Sequence, residues 1–220
     1  MTTSAISPRV ILIGIAGPSG CGKTTYATYL VERLQSPTLP IGLDDFFYRY
    51  KFISHPLLGS MRSCEDPDTL HVENLLNLLQ TLKQHPEKRT RHHRNDVSII
   101  NKKYIYIIVE GFLLFALSDE LTSIFDIRIF FDSTMSECRM RRFRRHSKID
   151  SRIPDSQVII TEKFQQWFDY LVWTEYLKRR DSQMSKAEKT FHSDEYQNRQ
   201  YTQIDNYIDT RLKEIIEQNS

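Results

Sequence analysis

A chain of 220 residues with 40% hydrophobic and 26% charged side chains can bury one sizeable core, so a single domain is expected over residues 1–220. Its 30 basic and 28 acidic side chains leave a formal charge of +2, which excludes the strongly basic balance of a protein whose main partner is nucleic acid. Three cysteines, Cys21, Cys64 and Cys138, are odd in number and lack metal-ligand spacing, so free thiols in a reducing compartment are expected rather than a disulfide framework.

The N-terminus from Met1 to Arg9 is short and polar, and no apolar run approaches the ~18 residues of a membrane span, so we expect a cytoplasmic protein with no membrane partner, the nucleus also being open to it. The first element, Val10 to Ala16, is a continuous apolar run and reads as a buried parallel strand. Directly after it, Gly17-Pro18-Ser19-Gly20-Cys21-Gly22-Lys23-Thr24 matches G-x-x-x-x-G-K-[ST], and a helix pattern follows from Lys23 to Leu34. Strand, glycine-rich turn and helix together define a phosphate-binding loop. The glycines let successive N–H groups point at one anion, and the positive end of the helix adds to the same spot. Lys23 is expected to reach the β- and γ-phosphates and Thr24 to ligate Mg²⁺.

A weaker strand is expected from Thr38 to Leu43, then a helix from Asp68 to Leu82 with Leu70, Leu75, Leu78, Leu79 and Leu82 on one face and Asp68 as its N-cap. Lys83 to Lys103 is polar and mixed in charge, with Arg89, Arg91, His92, His93 and Arg94, and reads as a surface excursion whose adjacent histidines are solvent-exposed. Tyr104 to Val109 and Ile127 to Phe131 are two further apolar strands. Met135 to Arg145 is a helix, with Thr134 and Glu137 spaced as a capping box. An irregular stretch from Ser147 to Ile160 leads into a helix from Glu162 to Arg180 crowded with Phe164, Trp167, Phe168, Tyr170, Trp173 and Tyr176. Asp181 to Gln200 is polar and expected to be mobile, before a closing amphipathic helix with Ile204, Ile208, Leu212, Ile215 and Ile216.

Alternating strands and helices imply right-handed βαβ units and a parallel sheet covered on both faces. Ligands then lie beyond the carboxyl ends of the strands, which singles out Asp44, Asp45 and Glu110. Carboxylates there can hold Mg²⁺ through water or take a proton from an attacking hydroxyl, although Asp44-Asp45 could also merely form a turn. Arg139, Arg141, Arg142, Arg144 and Arg145 precede the irregular stretch, so residues 142–163 read as a lid that neutralises phosphoryl charge and excludes water. A solvated basic face is the plainer alternative.

These residues resemble the P-loop nucleoside kinases that include uridine kinase and nicotinamide riboside kinase, with the closer likeness to the latter. Four blocks carry it: GPSGCGKTT at Gly17 to Thr25, DDFF at Asp44 to Phe47, EGFLLF at Glu110 to Phe115 and ECRMRR at Glu137 to Arg142. Phe168-Asp169 through Val172-Trp173 to Tyr176-Leu177-Lys178 adds a fifth, while the chain beyond Asp181 does not match. The resemblance implies a P-loop NTPase-type three-layer α/β sandwich with an Arg-rich lid, using ATP and Mg²⁺. Gly17, Pro18, Ser19, Gly20, Cys21, Gly22, Lys23, Thr24 and Thr25 would cradle the ATP phosphates, with Arg141 and Arg145 reaching ATP from the lid. Asp44 would take the proton of the ribose 5′-hydroxyl and help Thr24 place Mg²⁺; Glu110 would support the metal. Lys23, Asp44, Glu110 and Arg142 form the implied catalytic set, and Arg142, Asp45, Phe46 and Phe47 lie on the substrate side.

The chain also departs from the family. The acid that grips the ribose hydroxyls is Glu65 in the closest register, with Asp66 beside it as a substitute, and the preceding aromatic is Cys64. Ser147 stands where the lid's aromatic is sought, so Trp167, Tyr170 or Tyr48 would stack on the base. The implied activity is ATP-dependent phosphorylation of a ribonucleoside 5′-hydroxyl, with nicotinamide riboside first and uridine or cytidine as the alternative. A nucleotide-binding regulatory protein without catalysis is the reading from another class, and the oligomeric state stays open.

Overall fold

The apolar runs assemble into a parallel sheet because each is apolar at both odd and even positions, and so can be buried on both faces. The computed structural model describes residues 8–88, 90–99 and 102–218. In chain order it contains β1 (Arg9–Ala16), α1 (Lys23–Arg33), β2 (Ile41–Gly42), a hairpin of β3 (Lys51–His55) and β4 (Gly59–Ser63), and α2 (Val72–Gln84). There follow β5 (Tyr104–Gly111), α3 (Asp119–Ser123), β6 (Ile127–Asp132) and α4 (Met135–Ser147). The chain closes with α5 (Glu162–Trp167), α6 (Thr174–Lys186), β7 (Lys189–His192) and α7 (Thr202–Glu217). The main sheet runs β2-β5-β1-β6-β7 with every pairing parallel.

Period-two alternation divides β1 between two cores. Ile11, Ile13 and Ile15 pack with Tyr26, Ala27, Leu30 and Val31 of α1 and with Ile204, Ile208, Leu212 and Ile215 of α7. Val10, Leu12 and Ala16 face Leu75, Leu79 and Leu82 of α2 and Leu121 of α3. Fully burying each such side chain contributes roughly 1.5–3 kcal/mol, so the two layers hold the sheet rigid beneath the loops at its carboxyl edge. Among the described residues, no helix is long and apolar enough to cross a membrane.

Several expected elements change shape. Only Ile41–Gly42 of the Thr38 to Leu43 run is strand, since Leu43 already opens a 3₁₀ turn, Leu43–Phe46. The helix expected from Asp68 is broken: Pro67–Thr69 is a 3₁₀ turn capped by the Asp66 carboxylate, which accepts from the Asp68 N–H at 2.9 Å, and α2 begins at Val72. The Thr134 and Glu137 capping box forms as expected. The aromatic helix runs on to Lys186, with α5 and α6 joined through a π-helical segment, Phe168–Trp173.

The polar stretch after Asp181 is ordered, against expectation. It supplies β7, an edge strand on β6, and Asp132 at the end of β6 ties it down. Asp132 accepts from Tyr176 Oη at 2.9 Å and Arg180 Nη2 at 2.6 Å, and its backbone carbonyl accepts from Tyr196 Oη at 2.8 Å. The excursion between α2 and β5 is also partly buried rather than solvated: His92 is only 6% exposed. Arg89, Ile100 and Asn101 in that stretch, and Met1 to Ser7, lie outside the described residues.

Candidate active site

Register brings three loops to one place. Glu110 pairs with Ile15 of β1 on one side and with Gly42 of β2 on the other. The phosphate loop starts two residues past Ile15 and Asp44 lies two residues past Gly42, so both flank the Glu110 carboxylate at the carboxyl edge of the sheet. The loop itself is pressed between β6 and α4. A Cβ on Gly17 would stand 2.2 Å from the Phe131 carbonyl oxygen, and one on Gly20 would stand 2.5 Å from that of Cys138. With φ of +146° and +93°, these two positions admit glycine for conformational as well as steric reasons.

Lys23 is 6% exposed, and its ammonium donates to the Pro18 carbonyl at 2.9 Å. Thr24 Oγ1 donates to Glu110 Oε1 at 2.7 Å. From α4, Arg141 donates to the Cys21 carbonyl at 3.3 Å, and Arg142 donates to Ser19 Oγ and stands 4.0 Å from Glu65 Oε1. The cleft they enclose measures about 330 Å³ and is lined also by Asp44, Phe47, Phe112 and Arg145. Hydroxyl and carboxylate oxygens from Thr24 and Glu110 suit Mg²⁺, which keeps several waters and takes one or two carboxylates plus phosphate oxygens. Among the described residues, no group of three or more His, Cys, Asp or Glu forms a self-sufficient metal cage.

Glu65 is the most perturbed acid of the cleft. Burial pushes its carboxyl up to about 7; Arg142 opposes the rise, while Asp44 and Glu175 add to it. Because the folded pKa lies above the unfolded value, the folded state binds the extra proton, and stability is lost as pH rises from about 4.5 through about 7. We therefore expect the melting temperature of the wild type to fall between pH 5 and pH 8 by more than that of Glu65→Gln. The excess loss should be on the order of 1–3 kcal/mol. Parallel pH profiles for the two proteins in scanning calorimetry would refute this.

The structure brings together Ser19, Gly20, Gly22, Lys23, Thr24, Thr25, Asp44, Phe47, Cys64, Glu65, Glu110, Arg141, Arg142 and Arg145 around the cleft. Other expected residues point elsewhere. Asp66 pairs with Lys51 at 2.9 Å, Asp45 faces Arg91 and His92, and Phe46 is core. Gly17, Pro18 and Cys21 form the body of the loop, and the Cys21 thiol is fully buried, which raises its pKa. Of the rings considered for base stacking, Tyr48 stacks on His71 at 3.9 Å, Tyr170 on His55 at 6.2 Å, and Trp167 carries the Arg142 guanidinium 5.3 Å from its centroid. The cleft's own aromatic walls are Phe47 and Phe112, 6.1 Å apart. Phe112 was not singled out from sequence; its signal is its place just beyond the carboxyl end of an apolar strand. Arg139 and Arg144 are structural: they pair with Asp169 at 2.6 Å and Asp155 at 2.6 Å.

Sheet order, loop and cleft define a P-loop α/β protein of the kinase-like kind. Residues 12–162 match the model of the Phosphoribulokinase / Uridine kinase family. The chain belongs to that family. A uridine kinase of Staphylococcus aureus (strain JH9) is 30% identical to it over 161 residues, spanning 67% of this chain and 73% of that protein. The "putative fructose transport system kinase" of Silicibacter sp. TM1040 shares the fold, with a TM-score of 0.50 at 18% identity over 84% of this chain and 91% of its own.

Proposed function

We propose that this chain transfers the γ-phosphoryl group of Mg·ATP to the 5′-hydroxyl of a ribonucleoside, nicotinamide riboside being the first candidate. The convergence of Lys23, Asp44, Glu110 and Arg142 on one cleft carries this reading. A protein that only holds a nucleotide has no use for a carboxylate base opposite the phosphate loop. In the proposed reaction, Asp44 accepts the proton of the acceptor hydroxyl. Lys23 and the loop N–H groups hold the phosphates, and Arg141, Arg142 and Arg145 offset the charge spread over the transferring group. Thr24 and Glu110 would hold Mg²⁺, which supplies charge neutralisation at the phosphate oxygens when bound. Glu65, buried beside Arg142, is the acid available to the ribose hydroxyls.

The choice of nicotinamide riboside rests on the sequence resemblance, and the Asp44 carboxylate with the rings of Phe47 and Phe112 on the cleft supplies groups that suit a cationic pyridinium. Uridine or cytidine is the second reading, favoured by the likeness to a uridine kinase. Incubating the protein with Mg·ATP and each of nicotinamide riboside, uridine and cytidine separates them. We expect kcat/KM to be highest for the riboside. Rapid turnover of uridine with none of the riboside would reverse the order, and no turnover of any nucleoside would remove the activity itself.

A further inference from the structure

Asp45 follows Asp44 directly but faces away from the cleft, toward a segment that belongs to no regular element. That segment is docked with care. Leu39 N donates to the His92 carbonyl at 2.7 Å, Arg94 N donates to the Pro37 carbonyl at 2.7 Å, and Thr38 bridges His93, so residues 92–94 run beside the chain entering β2. Arg94, itself 7% exposed, fixes the segment's far end on Glu32 of α1 at 3.0 Å and on Asp96 at 2.5 Å.

From this anchorage two side chains reach the Asp44 turn. Arg91 Nη2 donates to the Asp45 backbone carbonyl at 3.0 Å, and its guanidinium lies 5.5 Å from the centroid of Phe46. Arg91 Nε donates to His92 Nε2 at 3.1 Å, which leaves the proton of a neutral imidazole on Nδ1, facing Asp45 Oδ2 at 3.8 Å. Burial holds the His92 pKa below its ordinary value, with Asp45 opposing and Arg91 assisting, so the ring is neutral near pH 7. On its other flank the same turn is tied by His71 N donating to the Phe46 carbonyl at 2.9 Å and Tyr48 N donating to the Thr69 carbonyl at 3.1 Å. The backbone of residues 44–47 is therefore gripped from both sides, while the Asp44 carboxylate is left on the cleft.

We infer that Arg91 and His92 are positioning residues for Asp44, acting through Asp45 and the backbone of the Leu43–Phe46 turn. The exposed Arg91–Asp45 ion pair, at 3.9 Å, contributes little to stability by itself, so the effect is one of placement. A carboxylate displaced by about 1 Å from its reacting proton costs roughly 100-fold in rate, and partial loosening costs less.

The inference rests on Asp44 being the base of the proposed reaction. For Arg91→Ala we expect kcat to fall about tenfold, and for Asp45→Ala, which keeps the carbonyl that Arg91 holds, by less, with KM for Mg·ATP changed by less than about twofold in both. Arg91→Lys, which retains a donor for the Asp45 carbonyl, should recover most of the loss. Amide hydrogen exchange across residues 43–47 should accelerate in Arg91→Ala while α1 stays protected. A merely structural role would lower the melting temperature and spare kcat, and that result, or unchanged exchange of the turn, would overturn the inference. If the wild type phosphorylates no nucleoside, the functional reading fails on its own, and the exchange measurement still decides whether Arg91 holds the turn.

Discussion

Replacing Asp44 by asparagine is expected to leave ATP affinity nearly unchanged and to slow phosphoryl transfer by roughly two to four orders of magnitude. Asparagine has the shape of aspartate, and Asp44 sits on an exposed turn at the cleft, so the fold has little reason to respond. What is lost is the capacity to accept a proton as the acceptor oxygen attacks. Glu65 is not placed to substitute in this reading, because it is buried beside Arg142 and is assigned to the ribose hydroxyls rather than to the attacking one. Titration calorimetry with a non-hydrolysable ATP analogue and single-turnover kinetics with the best nucleoside give the two numbers. Turnover within about threefold of wild type would remove Asp44 from the mechanism. Equal binding with no activity in either protein would favour a regulatory nucleotide-binding protein.

Replacing Lys23 by methionine should act on both binding and transfer. Methionine keeps the buried aliphatic stem and removes the ammonium, so packing against the loop is preserved while the loop's lysine charge is lost. The ammonium is already stationed over the loop, donating to the Pro18 carbonyl, and no large rearrangement is needed for it to meet phosphate oxygens. Removing one such preorganised charge typically lowers the rate about 100- to 1,000-fold, and we expect KM for Mg·ATP to rise as well. A melting temperature close to wild type would show that the loss is electrostatic. Full activity in Lys23→Met would mean that the phosphates lie elsewhere than the loop.

The phosphate loop, the three apolar strands and the Asp44 and Glu110 positions were legible in the sequence because each is carried by neighbours in the chain. A short apolar run rich in Val and Ile, followed by a glycine-rich turn, fits a strand buried on both faces, and a polar residue at the end of such a strand falls at the sheet's carboxyl edge. The elements misjudged lack a local apolar signal, and two of them depend on partners far along the chain. β7 buries only Phe191 of its four residues and owes its strand form to pairing with β6 and to the Asp132 network. The β3–β4 hairpin has no alternating apolar face to announce it, being exposed or half-buried along most of its length. His92 looked solvated because its neighbours are arginines, yet it is buried, since residues 37–39 supply the backbone partners for its segment.

The same division runs through the site. By itself the sequence determined that a phosphate-loop motif sits between a strand and a helix, with carboxylates and arginines near it, because spacing and composition act locally. Only the tertiary structure decided which of two adjacent acids faces the cleft. Glu65 turns inward beside Arg142, while Asp66 is drawn away by Lys51 and by its own cap on the Pro67–Thr69 turn. Likewise Asp44 rather than Asp45 is presented to the cleft, since the 3₁₀ turn sends successive side chains in different directions and Arg91 and His92 occupy the side that Asp45 takes. Those choices are set by contacts between segments distant in the chain, whose strength depends on where the sheet register places them.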